Sequence, residues 1–174
     1  MKVLVLTGPE STGKSWLAAR LQQRFGGLLV SEYVREFIDS EQRDTCLADV
    51  PTIARGQLAL EDAARQRAPH LLILDTHLLS NILWSQTLFG SYPAWLEGEL
   101  LRRHYHLHLL LSPQGIDWHD DGQRCQPDLT ERLRFYDDCR AWLSTHHQPF
   151  VEIGGNWAER EQQVFAQTRT LLDD

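Results

Sequence analysis

No apolar run in this 174-residue chain approaches the ~20 residues that a membrane-spanning helix needs. The apolar stretch at 3–6 is also far too short for a signal peptide, and it leads straight into a glycine-containing loop. An excess of basic charge is missing as well. Seventeen Lys and Arg stand against 24 Asp and Glu, for a formal net charge of −7. That argues against a general nucleic-acid binder, whose contact face is basic. Cysteine is sparse: Cys46, Cys125 and Cys139 share no metal-type spacing, and an odd, scattered set reads as reduced thiols. Internal repeats, low-complexity tracts and linkers are absent too. These absences lead to the expectation of a soluble, cytoplasmic, single domain over 1–174 with one core. Its partner is expected to be a small molecule, with neither nucleic acid nor membrane involved. The sequence carries no signal for oligomeric state.

What is present alternates between two patterns. Short leucine- and valine-rich runs at 2–7, 28–31, 71–74, 107–111 and 150–153 read as buried parallel strands. Helical spacing is seen at 14–25, 51–67, much of 78–103, and 127–147, with a short helix or turn at 32–39. In 127–147 the apolar face is expected to be Leu129, Leu133, Tyr136 and Leu143. Asn156 and Glu159 form a plausible capping pair that opens a last helix. Strands alternating with helices imply an α/β fold, a parallel sheet with helices on both faces. The polar stretch 113–126 follows a strand end and resists assignment, so a mobile lid is expected there.

The clearest chemical motif is Gly8-Pro9-Glu10-Ser11-Thr12-Gly13-Lys14-Ser15, set between the first strand and the first helix. Glycines at these positions let backbone N–H groups turn inward around a phosphate, with the helix N-terminus aimed at the anion. Lys14 would face the β- and γ-phosphates of ATP, and Ser15 would ligate Mg²⁺. The strand 71–74 ends at Asp75, the position where a carboxylate helps hold that cation in P-loop proteins. Glu32 follows the second strand and emerges at the same sheet edge, where open α/β sheets bind ligands. It is a candidate base or magnesium helper, with Arg35 beside it. In the lid, Arg124 either reaches phosphate charge or pairs with Asp120 or Asp121. Trp118 either contacts a ligand or docks on the body of the protein. His104, His106 and His108 read as an ordinary strand edge.

These residues together resemble the ribosylnicotinamide kinase domain of NadR-type proteins. The resemblance is carried by Gly8–Ser15, Glu32-Tyr33-Val34-Arg35-Glu36-Phe37, Asp49-x-Pro51, Gly56-Gln57, Leu74-Asp75-Thr76 and Asp117-Trp118-His119-Asp120-Asp121-Gly122-x-Arg124, with Arg132 and Phe135 behind the lid. It implies a P-loop kinase with five parallel strands in the order 2-3-1-4-5. It also implies phosphorylation of the 5′-hydroxyl of nicotinamide riboside by MgATP. Tyr33, Trp118, Asp120 and Asp121 would then meet the substrate, Trp118 stacking on the pyridinium ring, and Arg124 and Arg132 the transferred group. Two features depart from the family pattern. His77 stands where a second aspartate is usual, and Ser80-Asn81 where a threonine pair is usual. The helix-turn-helix and nucleotidyltransferase parts of NadR are not in the sequence, which leads to the expectation of a stand-alone kinase. The rivals are a kinase of another small metabolite and an ATP-binding sensor that transfers nothing.

Overall fold

The computed structural model describes residues 1–173 and alternates strands with helices along the chain. The strands β1 (Lys2–Thr7), β2 (Leu28–Val30), β3 (Leu71–Asp75), β4 (Leu107–Leu111) and β5 (Phe150–Ile153) form one parallel sheet. Their spatial order is β2-β3-β1-β4-β5, the order expected above. Seven α-helices accompany them among the described residues: α1 (Lys14–Phe25), α2 (Tyr33–Glu41), α3 (Val50–Gln66), α4 (Leu78–Phe89), α5 (Trp95–Leu101), α6 (Leu129–Thr145) and α7 (Trp157–Asp173).

The pleat sends successive side chains to opposite faces. Val3, Val5, Leu72 and Leu74 therefore join one buried cluster, with residues of α3, α4, α5 and α6. Leu4, Leu6, Leu71 and Ile73 join the other, under α1 and α7. All eight side chains are fully buried, each stabilising the fold by roughly 1.5–3 kcal/mol. Continuous apolar runs, rather than alternation, are what a sheet covered on both faces requires.

Helix ends follow local chemistry. Asn156 Oδ1 accepts from Glu159 N at 3.0 Å while Glu159 Oε2 accepts from Asn156 N at 2.8 Å, the reciprocal pair expected at the start of α7. Asp128 caps α6, accepting from Thr130 N and Glu131 N at 2.7 and 3.1 Å, so the helix begins two residues later than expected. Its buried face also differs. Arg132, Phe135, Tyr136, Cys139 and Leu143 face inward, whereas Leu129 is exposed and Leu133 only half-buried. The stripe that meets the core starts one turn into the helix and includes an arginine, which an apolar-only reading passes over. No helix among the described residues is long and apolar enough to cross a membrane.

Candidate active site

The turn between β1 and α1 holds the loop Gly8–Ser15. Gly8 has φ +127°, and a Cβ there would lie 2.6 Å from the Leu111 carbonyl oxygen of β4. Gly13 has φ +88°, and a Cβ there would run into the Trp157 ring. Both positions therefore demand glycine. Thr12 Oγ1 donates to Pro9 O at 2.9 Å, closing the loop on itself. Lys14 Nζ donates to Gly8 O at 3.0 Å and Pro9 O at 2.6 Å, so the ammonium is held inside the cradle. Burial pulls its pKa below the usual lysine value, and the nearby charges of Glu32 and Asp75 oppose that pull.

Those two carboxylates lie near Lys14, Asp75 from the end of β3 and Glu32 from the turn after β2. Asp75 ends β3 directly beside Leu6 of β1 and is buried. The neighbouring Ser15 hydroxyl favours its ionised form, and its Oδ1 has no hydrogen-bond partner. A buried carboxylate oxygen left without a donor, next to a hydroxyl and under a phosphate loop, is the hard-oxygen donor set that Mg²⁺ takes. Glu32 stands at the N-terminus of α2. Gln57 of α3, itself buried, brackets it by accepting from Tyr33 N at 2.8 Å and donating to Ser31 O at 3.4 Å. The Tyr33 ring lies on Gly56 and would collide with any side chain there, so it packs α2 onto α3. Burial raises the pKa of Glu32, Asp75 adds to the rise, and Lys14 and Arg35 oppose it. Asp75 is raised too, mainly by burial.

His77 turns away from this cluster. It sits at the N-terminus of α4, fully buried, with Nε2 3.2 Å from Nε2 of His108. His108 Nδ1 lies 2.9 Å from Pro149 O, a pure acceptor, so Nδ1 carries the proton. His108 Nε2 then accepts, and His77 Nε2 donates. Burial lowers the His108 pKa to about 4. Below about pH 6.5 the unfolded chain protonates at this residue while the folded chain does not. Stability should therefore fall with acidification between about pH 6.5 and pH 4, by ~1.4 kcal/mol per pH unit from His108. Urea unfolding of wild type and His108→Phe across that range checks this. The variant should show the shallower pH dependence, and equal slopes would rule out the neutral buried pair. His104 and His106 meet edge to face at 4.4 Å between ring centroids, before and outside β4.

A cavity of about 600 Å³ opens from the phosphate loop. Its walls include Glu10–Ser15, Glu32 and Arg35, side chains of α2, α3 and α4, and His119 and Arg124 of the 113–126 segment. Asp75 lies beneath it, buried next to Ser15. Tyr33, Trp118, Asp120, Asp121 and Arg132 do not line it. Arg132 is buried in the first turn of α6, with Nε and Nη1 unpartnered.

The 113–126 segment is tied down by the phosphate loop itself. Glu10 accepts from Trp118 Nε1 at 2.8 Å, Gln126 N at 2.7 Å and Cys125 N at 3.2 Å. Ser11, with φ +57°, accepts from His119 N at 3.0 Å and Arg124 Nη1 at 3.5 Å. Asp121 bridges Arg35 at 2.8 Å and Arg124 at 3.2 Å, and Gln123 reaches Asp39 of α2 at 2.7 Å. Asp120 only closes a turn onto Gly122 N at 2.9 Å. Glu10 is thus the anchor of this segment, its carboxylate held by three donors. Trp118→Phe deletes one charge-assisted bond and keeps the ring. Hydrogen exchange at the Cys125 and Gln126 amides should speed up on the order of ten-fold. Unchanged exchange would show that the indole–Glu10 contact holds nothing in place.

Comparison with known protein families matches residues 3–160 to a family described as an AAA domain. The chain belongs to that family. Among solved structures, this AAA-family domain is similar to a NadR protein in complex with NR, with a TM-score of 0.73 and 19% identity over 97% of this chain and 51% of that one. A NadR protein in complex with NAD and AMP-PNP aligns at TM-score 0.75 and 16% identity, over 99% and 50%. The chain therefore spans about half the length of these NadR proteins. Deoxyadenosine kinase from M. mycoides with bound dATP aligns at TM-score 0.68 and 12% identity, over 97% of this chain and 100% of that one. At these identities the likeness establishes a shared P-loop kinase fold, and the resemblance to the NadR kinase domain holds at that level.

Sequence reading alone passed over two residues of this AAA-family site. Trp157 opens α7 and covers Gly13. Arg160 is fully buried and donates to Gly155 O at 2.7 Å, Gln114 O at 2.9 Å and Thr12 O at 3.5 Å. It knits the phosphate loop, the root of the 113–126 segment and the turn after β5. A signal for it exists in the sequence, because Arg160 shares one helical stripe with buried Val164 and Thr168.

Proposed function

We propose that this chain is an ATP-dependent kinase that phosphorylates the 5′-hydroxyl of a nucleoside, with nicotinamide riboside as the acceptor. The observation that carries the reading is the convergence of Lys14, Asp75 and Glu32 at one end of a nucleoside-sized cavity. A phosphate loop alone would fit any nucleotide binder. Two desolvated carboxylates facing its lysine are costly to keep; Asp75 would serve any MgATP binder, but a sensor that transfers nothing has no use for Glu32.

Lys14 supplies fixed positive charge to the β- and γ-phosphates. Ser15 and Asp75 would hold Mg²⁺, which supplies further neutralisation of phosphate charge. Glu32, raised in pKa and exposed to the cavity, is the acceptor-side base, taking the hydroxyl proton as the phosphoryl group arrives. Arg124 lines the cavity from the 113–126 segment, which we read as the lid that excludes water on closure. Arg132 has two unpartnered, buried guanidinium nitrogens, which supports a role toward phosphate charge once the lid moves. The solved NadR protein with NR supports this acceptor, and a surplus of acidic residues suits a cationic substrate. A second reading, a kinase of another nucleoside, is supported by the full-length alignment with deoxyadenosine kinase. An MgATP assay across nicotinamide riboside, deoxyadenosine and the common ribonucleosides separates the two. The first reading expects the highest kcat/KM for nicotinamide riboside, and a preference for deoxyadenosine would replace it with the second.

A further inference from the structure

One wall of the cavity is built on α4. Asn81, Trp84, Ser85 and Leu88 all line it, at spacings of three, four and seven residues, so they form one face of that helix. Ile38 of α2 and Ile53 of α3 line the same cavity. Together these side chains give it an apolar and aromatic lining, which suits a flat ring.

Trp84 is held for such a task. Its ring lies on buried Phe135 of α6, with centroids 4.7 Å apart and planes tilted by 36°, which fixes the indole from behind. Ser85 donates its hydroxyl to Ser91 O at 2.6 Å. The neighbouring Asn81 amide offers a donor and an acceptor side by side, the complement of a carboxamide. Asp44 also lines the cavity and adds negative charge to it, which suits a cationic ring. Trp118, by contrast, lies outside the cavity with its indole nitrogen bound to Glu10.

We infer that Trp84 and Asn81 form the acceptor's ring seat, Trp84 stacking on a flat cationic heteroaromatic base and Asn81 pairing with its carboxamide. The inference rests on the nucleoside-kinase reading above and deepens it. It assigns acceptor selectivity to α4, not to the 113–126 segment.

The test compares wild type, Asn81→Leu, Trp84→Leu, Trp84→Phe and Trp118→Phe with nicotinamide riboside and with its nicotinic acid counterpart, which carries a carboxylate in place of the amide. Wild type should prefer the amide. Asn81→Leu should raise KM for nicotinamide riboside by about ten-fold, change kcat far less, and erase the preference between the two acceptors. Trp84→Leu should raise KM for both, with Trp84→Phe intermediate, while KM for ATP stays within about two-fold. Trp118→Phe should leave the preference intact. Thermal unfolding of each variant identifies loss of folding, and Asn81→Gln supplies a second variant that keeps the amide while displacing it. Turnover by Asn81→Leu with wild-type selectivity overturns the seat and leaves the kinase reading standing. Absence of turnover by wild type with every nucleoside overturns both.

Discussion

Lys14→Met should abolish phosphoryl transfer, lowering kcat/KM on the order of 10³-fold or more, the scale of losing a preorganised charge at the reacting group. Methionine keeps the length of the stem and removes only the ammonium, so the loss would be electrostatic. In the structure that ammonium is bound to two carbonyls of its own loop and lies near two carboxylates. It is already in place, and little reorganisation is needed when phosphates arrive. Transfer assays with labelled ATP check this. Near wild-type turnover by Lys14→Met would remove the loop from the chemistry altogether.

Glu32→Gln and Asp75→Asn should each lower kcat by about 10²-fold or more while keeping the shape of the site. They should differ in kind. Asp75→Asn should be partly overcome by raised Mg²⁺, because the residue fits a cation. Glu32→Gln should not respond to Mg²⁺ and should lose the acidic limb of the pH–rate profile. The same two variants should not be destabilised. Both carboxylates have folded pKa values raised above their unfolded values. A group of that kind contributes stability only while protonated, below its unfolded pKa. That contribution is lost as pH rises through the folded pKa. At neutral pH each charge is therefore a liability to the fold, and the amide variants should melt at the same temperature as wild type or higher. Lower activity with equal or greater stability is the signature of charge kept for function. Loss of both together would mark these residues as structural.

How much of this was legible beforehand depends on how local each feature is. The strand β1 and helix α1 fall where the run at 2–7 and the spacing at 14–25 place them, because both are dictated by neighbours in sequence. Asp75 was visible as the end of an apolar run, and Glu32 as the residue after one. The role of Glu10 was not, since its three partners lie more than a hundred residues away. Nothing in the composition of a phosphate loop announces that one of its residues holds another segment. Trp118 illustrates the same limit. Its two readings, ligand contact or docking on the body, depend on which partner the indole nitrogen meets, and that partner is Glu10. The α4 face was hidden for a different reason. Leu78, Leu79 and Ile82 make the helix apolar almost all round, so the stripe turned toward the cavity does not separate from the stripe in the core. Arg160 was hidden by its charge, because a search for buried apolar stripes discards an arginine that is satisfied entirely by carbonyl oxygens.

The central claim is that one end of the cavity delivers a phosphoryl group to a nucleoside hydroxyl placed by the other. Incubation of the protein with MgATP and nicotinamide riboside, followed by mass and phosphorus NMR analysis of the products, tests it most directly. The account predicts ADP and a nucleoside 5′-monophosphate in equal amounts, the phosphorus signal split by the two 5′-methylene protons. ADP formed without a phosphorylated nucleoside, or ATP bound and returned unchanged with every acceptor, would contradict it.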